Sequence, residues 1–178
     1  MAPSRILFIR HAEKPGEPPC TNDKGVKRSG EEDDESLAVR GWQRAGALVH
    51  FFASQQDARP GVIFAAGTGE ESPSHRPKQT VMPLAECLGI KINESHLKND
   101  IKPLMKDVLG RDGKVLVSWE HTLIPKLIKE IPGAPAVPTE WRKERFDIVW
   151  VLDRVGENWK FSQIAQMLLA GDSDQFIT

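Results

Sequence analysis

The feature that most constrains this chain is a run of four apolar residues, Ile6-Leu7-Phe8-Ile9, that stops at Arg10-His11. A run this short, apolar on both faces, reads as a strand buried inside a parallel sheet. Glu13 and Lys14 follow closely, and Pro15, Gly16, Pro18 and Pro19 then exclude any regular continuation. Polar side chains therefore gather where a core strand ends, which is the edge at which open α/β sheets bind ligands. Arg10 keeps its charge and offers a donor fork suited to phosphate or carboxylate. His11 is mostly neutral near pH 7 and is able to act as a base or nucleophile.

The remaining pattern alternates strands with helices. Residues 37–53 place Trp42, Ala45, Leu48, Val49 and Phe52 on one helical face. Residues 62–66 form a second apolar strand, followed by a Gly- and Ser-rich turn. A helix then has Pro77 in its first turn, Val81, Leu84, Ala85 and Leu88 as its core face, and Gly89 as its stop. Pro83 inside it is expected to kink it or cost a hydrogen bond. A short extended piece after residue 90, a helix over 101–109, a strand over 115–118 and a helix near Pro125 come next. Residues 148–152 form a fourth strand, which Gly156-Glu157-Asn158 turns into a fifth over 159–164. This order predicts a three-layer α/β/α sandwich with a mainly parallel central sheet and one antiparallel edge strand. A length of 178 residues suits a single domain over 1–178.

Composition narrows the function by exclusion. The formal net charge of −1 gives no electrostatic basis for binding nucleic acid or a membrane surface. No apolar stretch approaches a membrane span, and the N-terminus lacks the shape of a signal peptide, so a cytoplasmic setting is expected. Cys20 and Cys87 are isolated, which fits reduced thiols. No cluster has metal-ligand spacing, and the His11-Ala12-Glu13 string lacks the P-C-x-x-C partner that zinc deaminases need. Residues 12–36 form a long polar loop; its acidic run Glu31-Glu32-Asp33-Asp34-Glu35 reads as a solvated face.

Three strand ends carry chemistry. The first gives Arg10-His11, the second leads to Ser74-His75-Arg76, and the third gives Trp119-Glu120-His121. Parallel strands bring all three to one sheet edge, where helix N-termini add partial positive charge. Two arginines and two histidines at one edge form a site for a dianion such as phosphate.

These motifs resemble those of the histidine phosphatase superfamily, the group that includes the cofactor-dependent phosphoglycerate mutases. The family's Arg-His-Gly signature appears as Arg10-His11-Ala12, followed by Glu13. The stretch Leu37–Ala45 resembles the opening of the family's first helix. Arg76, Thr80 and Leu84-Ala85 match its second arginine motif, and His121 its second histidine. Ala12 replaces a glycine, Ala38 stands where a threonine often caps the helix, and the segment between Arg76 and His121 lacks the basic insert of mutases.

The resemblance implies a metal-independent phosphohydrolase with no cofactor. Its substrate would be a phosphorylated small molecule or a phosphoprotein, with phosphomonoester and phosphohistidine both open. His11 would become phosphorylated, and Arg10, Arg76 and His121 would stabilise charge on the phosphoryl oxygens. Lys14 is a further candidate phosphate ligand. The general acid is harder to place. Thr122 stands where the acid-phosphatase pattern has an acid. Glu120 is adjacent but would point away from His121 if the strand continued; Glu13, Glu94 and Asp100 are the other candidates. Two alternatives share the fold: a catalytically weak module that binds phosphorylated ligands, and a mutase-type phosphotransferase.

Overall fold

A computed structural model describes residues 2–178. Strand β1 (Arg5–Arg10) is followed by helix α1 (Val39–Ser54), β2 (Val62–Ala65), α2 (Arg76–Leu88) and β3 (Ile92–Asn93). Then come α3 (Ile101–Leu109), β4 (Lys114–Trp119), α4 (Ile124–Lys129), β5 (Ile148–Val155) and β6 (Asn158–Ala165). The strands form one six-stranded sheet in the order β3-β2-β4-β1-β5-β6. β3, β2, β4 and β1 are parallel neighbours, whereas β5 runs antiparallel to both β1 and β6. One strand is reversed at this side of the sheet, as expected, but it is β5, one place in from the edge, and the hairpin through Gly156 (φ 63°) carries β6 to the edge beyond it in the direction of the parallel strands.

The unbroken apolar run of β1 has a simple cause, since both of its faces are covered. Ile6 and Phe8 enter a core under α3 and α4, while Leu7 and Ile9 enter a second core under α1 and α2. All four are fully buried, and each such side chain contributes about 1.5–3 kcal/mol relative to exposure. β2 and β4 split the same way: Phe64, Val115, Val117 and Trp119 face one core, Ile63, Ala65 and Leu116 the other.

Helix ends follow local chemistry. Ala38 at the start of α1 makes no side-chain cap; its N–H donates instead to the Glu13 carbonyl at 3.0 Å. Gly41 lets that approach happen, because a Cβ there would lie 2.4 Å from the same carbonyl oxygen. α2 runs unbroken past Pro83 to a left-handed Gly89 cap, so the effect of Pro83 is a missing backbone donor rather than a break. The C-terminal segment folds back on its own molecule, with Ile177 buried in the α3/α4 core. Among the described residues, no helix is long and apolar enough to cross a membrane.

The connection after β1 leads toward β2 on one side, whereas that after β4 crosses to β5 on the other. Adjacent strands with diverging connections leave a crevice at their carboxyl ends. β1 and β4 make that crevice here, and the His11 N–H extends their pairing by donating to the Trp119 carbonyl at 3.0 Å.

Candidate active site at the carboxyl edge of the sheet

A cavity of about 230 Å³ opens at this crevice. Arg10, His11, Lys14, Arg76, Glu120 and His121 all line it, so the three strand ends do converge. Glu35, Ser72, Ser74 and Lys98 complete the polar lining.

His11 is 5% exposed, and its Nδ1 lies 2.8 Å from the Ala12 carbonyl oxygen. A carbonyl only accepts, so Nδ1 carries the proton and Nε2 keeps a free lone pair. Burial, then the neighbouring charge of Arg10, pushes the imidazole pKa down to about 3, with Arg76 and His121 acting in the same direction. The ring is therefore neutral, with the Nε2 lone pair unprotonated, across the whole physiological range.

Arg10 is 1% exposed. One of its terminal nitrogens donates to Glu17 Oε2 at 2.9 Å, and the guanidinium lies 3.8 Å above the Phe146 ring centroid. Its Nε and other terminal nitrogen have no hydrogen-bond partner among the described residues. Buried donors left in this state are costly unless a ligand takes them up. Burial lowers the Arg10 pKa, with Glu17 opposing the shift. Glu17 also accepts from Lys14 Nζ at 2.9 Å, so one carboxylate holds both cations. Against the cost of burial, these two contacts keep the Glu17 pKa low.

Arg76 opens α2 and is fixed by the loop that follows β1. Its Nε donates to the Ser36 carbonyl at 3.2 Å, and its terminal nitrogens reach the Asp34 carbonyl and the Ser74 hydroxyl. Burial lowers its pKa, opposed first by Glu35, whose carboxylate is 3.5 Å away. Thr80, one turn later, donates to the Arg76 carbonyl at 2.7 Å and accepts the Ala12 N–H at 2.8 Å.

His121 Nδ1 lies 3.0 Å from Glu120 Oε1, within ion-pair reach but outside hydrogen-bond alignment. The expectation that Glu120 points away from His121 is corrected, because β4 ends at Trp119 and strand alternation ends with it. Burial favours the neutral acid of Glu120, yet the His121 contact and the Thr122 hydroxyl and amide pull its pKa down to about 2. Glu120 is an anion at neutral pH.

Glu13 is a second correction. It is 1% exposed, but its carboxylate turns away from the cavity and accepts from Arg44 at 2.8–3.1 Å. The acidic run is a third: Glu35 at its end lines the cavity instead of standing in a solvated face. Cys20 is buried, which raises its thiol pKa to about 12 and leaves it unreactive. Among the described residues, no three His, Cys, Asp or Glu side chains are placed to hold a metal.

Sequence reasoning missed Phe146, Glu17 and Lys98. Phe146 reaches Arg10 from the loop before β5, and no local signal marks it. Lys98 is brought in by Trp119, whose Nε1 donates to the Lys98 carbonyl at 3.0 Å. Glu17 at three residues from Lys14 is a legible ion pair, but its contact with Arg10 is not.

No family model and no curated protein sequence matches the chain. Solved structures do match. A phosphoserine phosphatase mutant from Entamoeba histolytica, in complex with phosphoserine, superposes with a TM-score of 0.54 at 12% identity, over 89% of this chain and 94% of that one. The SixA protein of Agrobacterium tumefaciens gives 0.53 at 16% identity, over 92% and 97%. A phosphoglycerate mutase from Plasmodium falciparum gives 0.52 at 11% identity, over 97% and 98%. Identities this low speak to architecture alone, and that architecture is shared across nearly the whole chain: the protein has the fold of the histidine phosphatase superfamily.

Proposed function

We infer that this protein is a phosphohydrolase that works through a phosphohistidine at His11. The observation that carries the reading is the state of His11: neutral, with Nδ1 committed to the Ala12 carbonyl and Nε2 free, in a cavity with unpartnered Arg10 donors. Nε2 attacks phosphorus and the bond to the leaving group breaks. Water then attacks the phosphohistidine, breaking the P–N bond and releasing orthophosphate. The imidazolium formed in the first step keeps its Nδ1 proton on the Ala12 carbonyl, and the transferred dianion offsets its charge. Arg10, Lys14, Arg76 and Lys98 against Glu35 and Glu120 leave the lining two charges positive, matched to a phosphoryl dianion.

The roles of the acid candidates differ from those of the cations. Glu120 is ionised and accepts from Thr122, so it orients His121 rather than protonating a leaving group. Glu13 is held by Arg44. This supports substrates whose leaving group departs without a protein acid. The same observation favours a second reading, a phospho-ligand-binding module with slow turnover.

Turnover of para-nitrophenyl phosphate and acid-labile labelling by a phosphate donor test both. The expected result is labelling at His11 and loss of both signals in His11→Ala. His121→Ala should retain labelling while slowing turnover about a hundred- to a thousandfold, the usual cost of one electrostatic donor. Phosphate binding without labelling would select the binding module. Labelling that survives His11→Ala would sink the assignment.

A further inference from the structure

We propose that the groove between α3 and α4 docks an acidic peptide segment flanking the phosphorylated residue of a protein substrate. The proposal rests on the reading of the cavity as a phosphoryl-transfer site. Groove and cavity adjoin along the chain: Lys98 lines the cavity and Asn99 the groove. The groove holds about 550 Å³ and presents Lys102 from the first turn of α3 and Lys126 and Lys129 from α4. Ile101 and Pro103 also line it. All three lysines are exposed.

Their charges are free. Among the described residues, Lys98, Lys102, Lys126 and Lys129 have no carboxylate within ion-pair reach. In contrast, Lys14, Lys24 and Lys27 of the loop after β1 are each paired with a glutamate. The groove also holds two acids, Asp100, which accepts the Leu97 N–H at 2.8 Å, and Glu130 at the α4 end, so its lining is one charge positive, with Lys98 adding to it at the cavity side.

The other rim has the opposite sign. In the run Glu31–Glu35, Lys27 and Lys24 neutralise Glu31 and Glu32, but Asp33 and Asp34 have no cation within ion-pair reach among the described residues, and Glu35 lines the cavity beside Arg76. A ligand anchored by its phosphate thus meets negative potential on one side and positive on the other, which orients an acidic body over α3 and α4. A groove more than twice the cavity's volume, with apolar residues between lysines, suits an extended chain better than the leaving group of a small phosphomonoester.

The test uses the full chain carrying His11→Ala, so that ligands are not consumed. The probes are a fluorescent phosphoserine peptide followed by four glutamates, the same peptide with glutamines, inorganic phosphate and tripolyphosphate. The acidic peptide should bind more tightly than the glutamine peptide, and the difference should shrink with salt. Combined Lys102→Glu, Lys126→Glu and Lys129→Glu should weaken the acidic peptide about tenfold or more while leaving inorganic phosphate unchanged. The triple Lys→Gln variant, a smaller change, should weaken it in the same direction and serves if the charge reversals do not fold. Equal binding of the two peptides, or equal loss of both on charge reversal, overturns the docking site. Lysine-dependent binding of tripolyphosphate but not of the acidic peptide also overturns it, assigning the groove to a small polyanion. No binding of inorganic phosphate by the unmutated chain is a failure of the cavity reading instead.

Discussion

At the residue scale, the state of His11 depends on the peptide unit that follows it. The Ala12 carbonyl accepts the Nδ1 proton, and the Ala12 N–H is held by Thr80 Oγ. Both polar groups of Ala12 are thereby committed, and the same hydroxyl reaches the carbonyl of Arg76. Thr80 is a positioning residue, because its hydroxyl contacts the Ala12 N–H and the Arg76 carbonyl and it does not line the cavity. Thr80→Val keeps the shape but removes the acceptor, leaving a buried N–H unpaired at a cost of about 1–3 kcal/mol. The expected signature is specific: long-range nitrogen–proton NMR should show only the Nδ1–H form of His11 in the parent chain, and a mixture of both tautomers in Thr80→Val. Turnover should fall with it, and Thr80→Ser should restore both. A single Nδ1–H form in Thr80→Val would show that Thr80 does not set the tautomer.

At the element scale, three parts of the chain are pinned by one buried cluster. Arg44 of α1 binds Glu13 beyond β1 and Asp172 in the C-terminal segment, at 2.8 and 2.7 Å, with all three side chains at most 3% exposed. Burial works against the Arg44 cation, but the Asp172 and Glu13 contacts raise its pKa. Arg44→Met would leave buried Asp172 without a cation and Glu13 with only Arg40 at 3.3 Å, and should destabilise the fold by about 3–5 kcal/mol in urea titration. A change within about 0.5 kcal/mol would mean the cluster is as well solvated as an ordinary surface pair. This cluster also marks where sequence reading stopped. β1, β2, β4 and β5 were legible because burial on both faces forces continuous apolar runs. α1 and α2 were legible because one face repeats at helical spacing. Arg10, His11, Arg76 and His121 were legible because each stands at the end of such an element. Glu13 was not: whether it faced the cavity or Arg44 depended on a segment more than a hundred residues away. Glu120 failed for a local reason, since the strand ended one residue too early for alternation to apply. Phe146 and Lys98 reach the site only through the tertiary fold.

At the scale of the whole molecule, the cavity ties folding to pH. His11 has a folded pKa of about 3 against an ordinary 6.5, and Glu120 about 2 against 4.5. In both, the folded state binds fewer protons than the unfolded chain as pH falls, so acid favours unfolding. The His11 contribution is fully present above the unfolded pKa and is lost from about pH 6.5 down to about 3. That of Glu120 is lost lower, between about 4.5 and 2. His11→Gln removes the first loss and keeps a polar side chain at the site. Unfolding free energy measured from pH 7.5 to 4 should therefore fall less steeply in His11→Gln than in the parent chain, the gap opening below about pH 6.5 and reaching a few kcal/mol at most. Phosphate should narrow the gap, because a bound dianion attracts the imidazolium and raises the His11 pKa. It should also raise the midpoint of thermal unfolding of the parent chain by roughly 5–10 °C at a hundredfold excess over its dissociation constant. Parallel stability curves for the two chains would mean that His11 titrates normally, and the free, permanently neutral nucleophile inferred from its Ala12 contact would have to be abandoned.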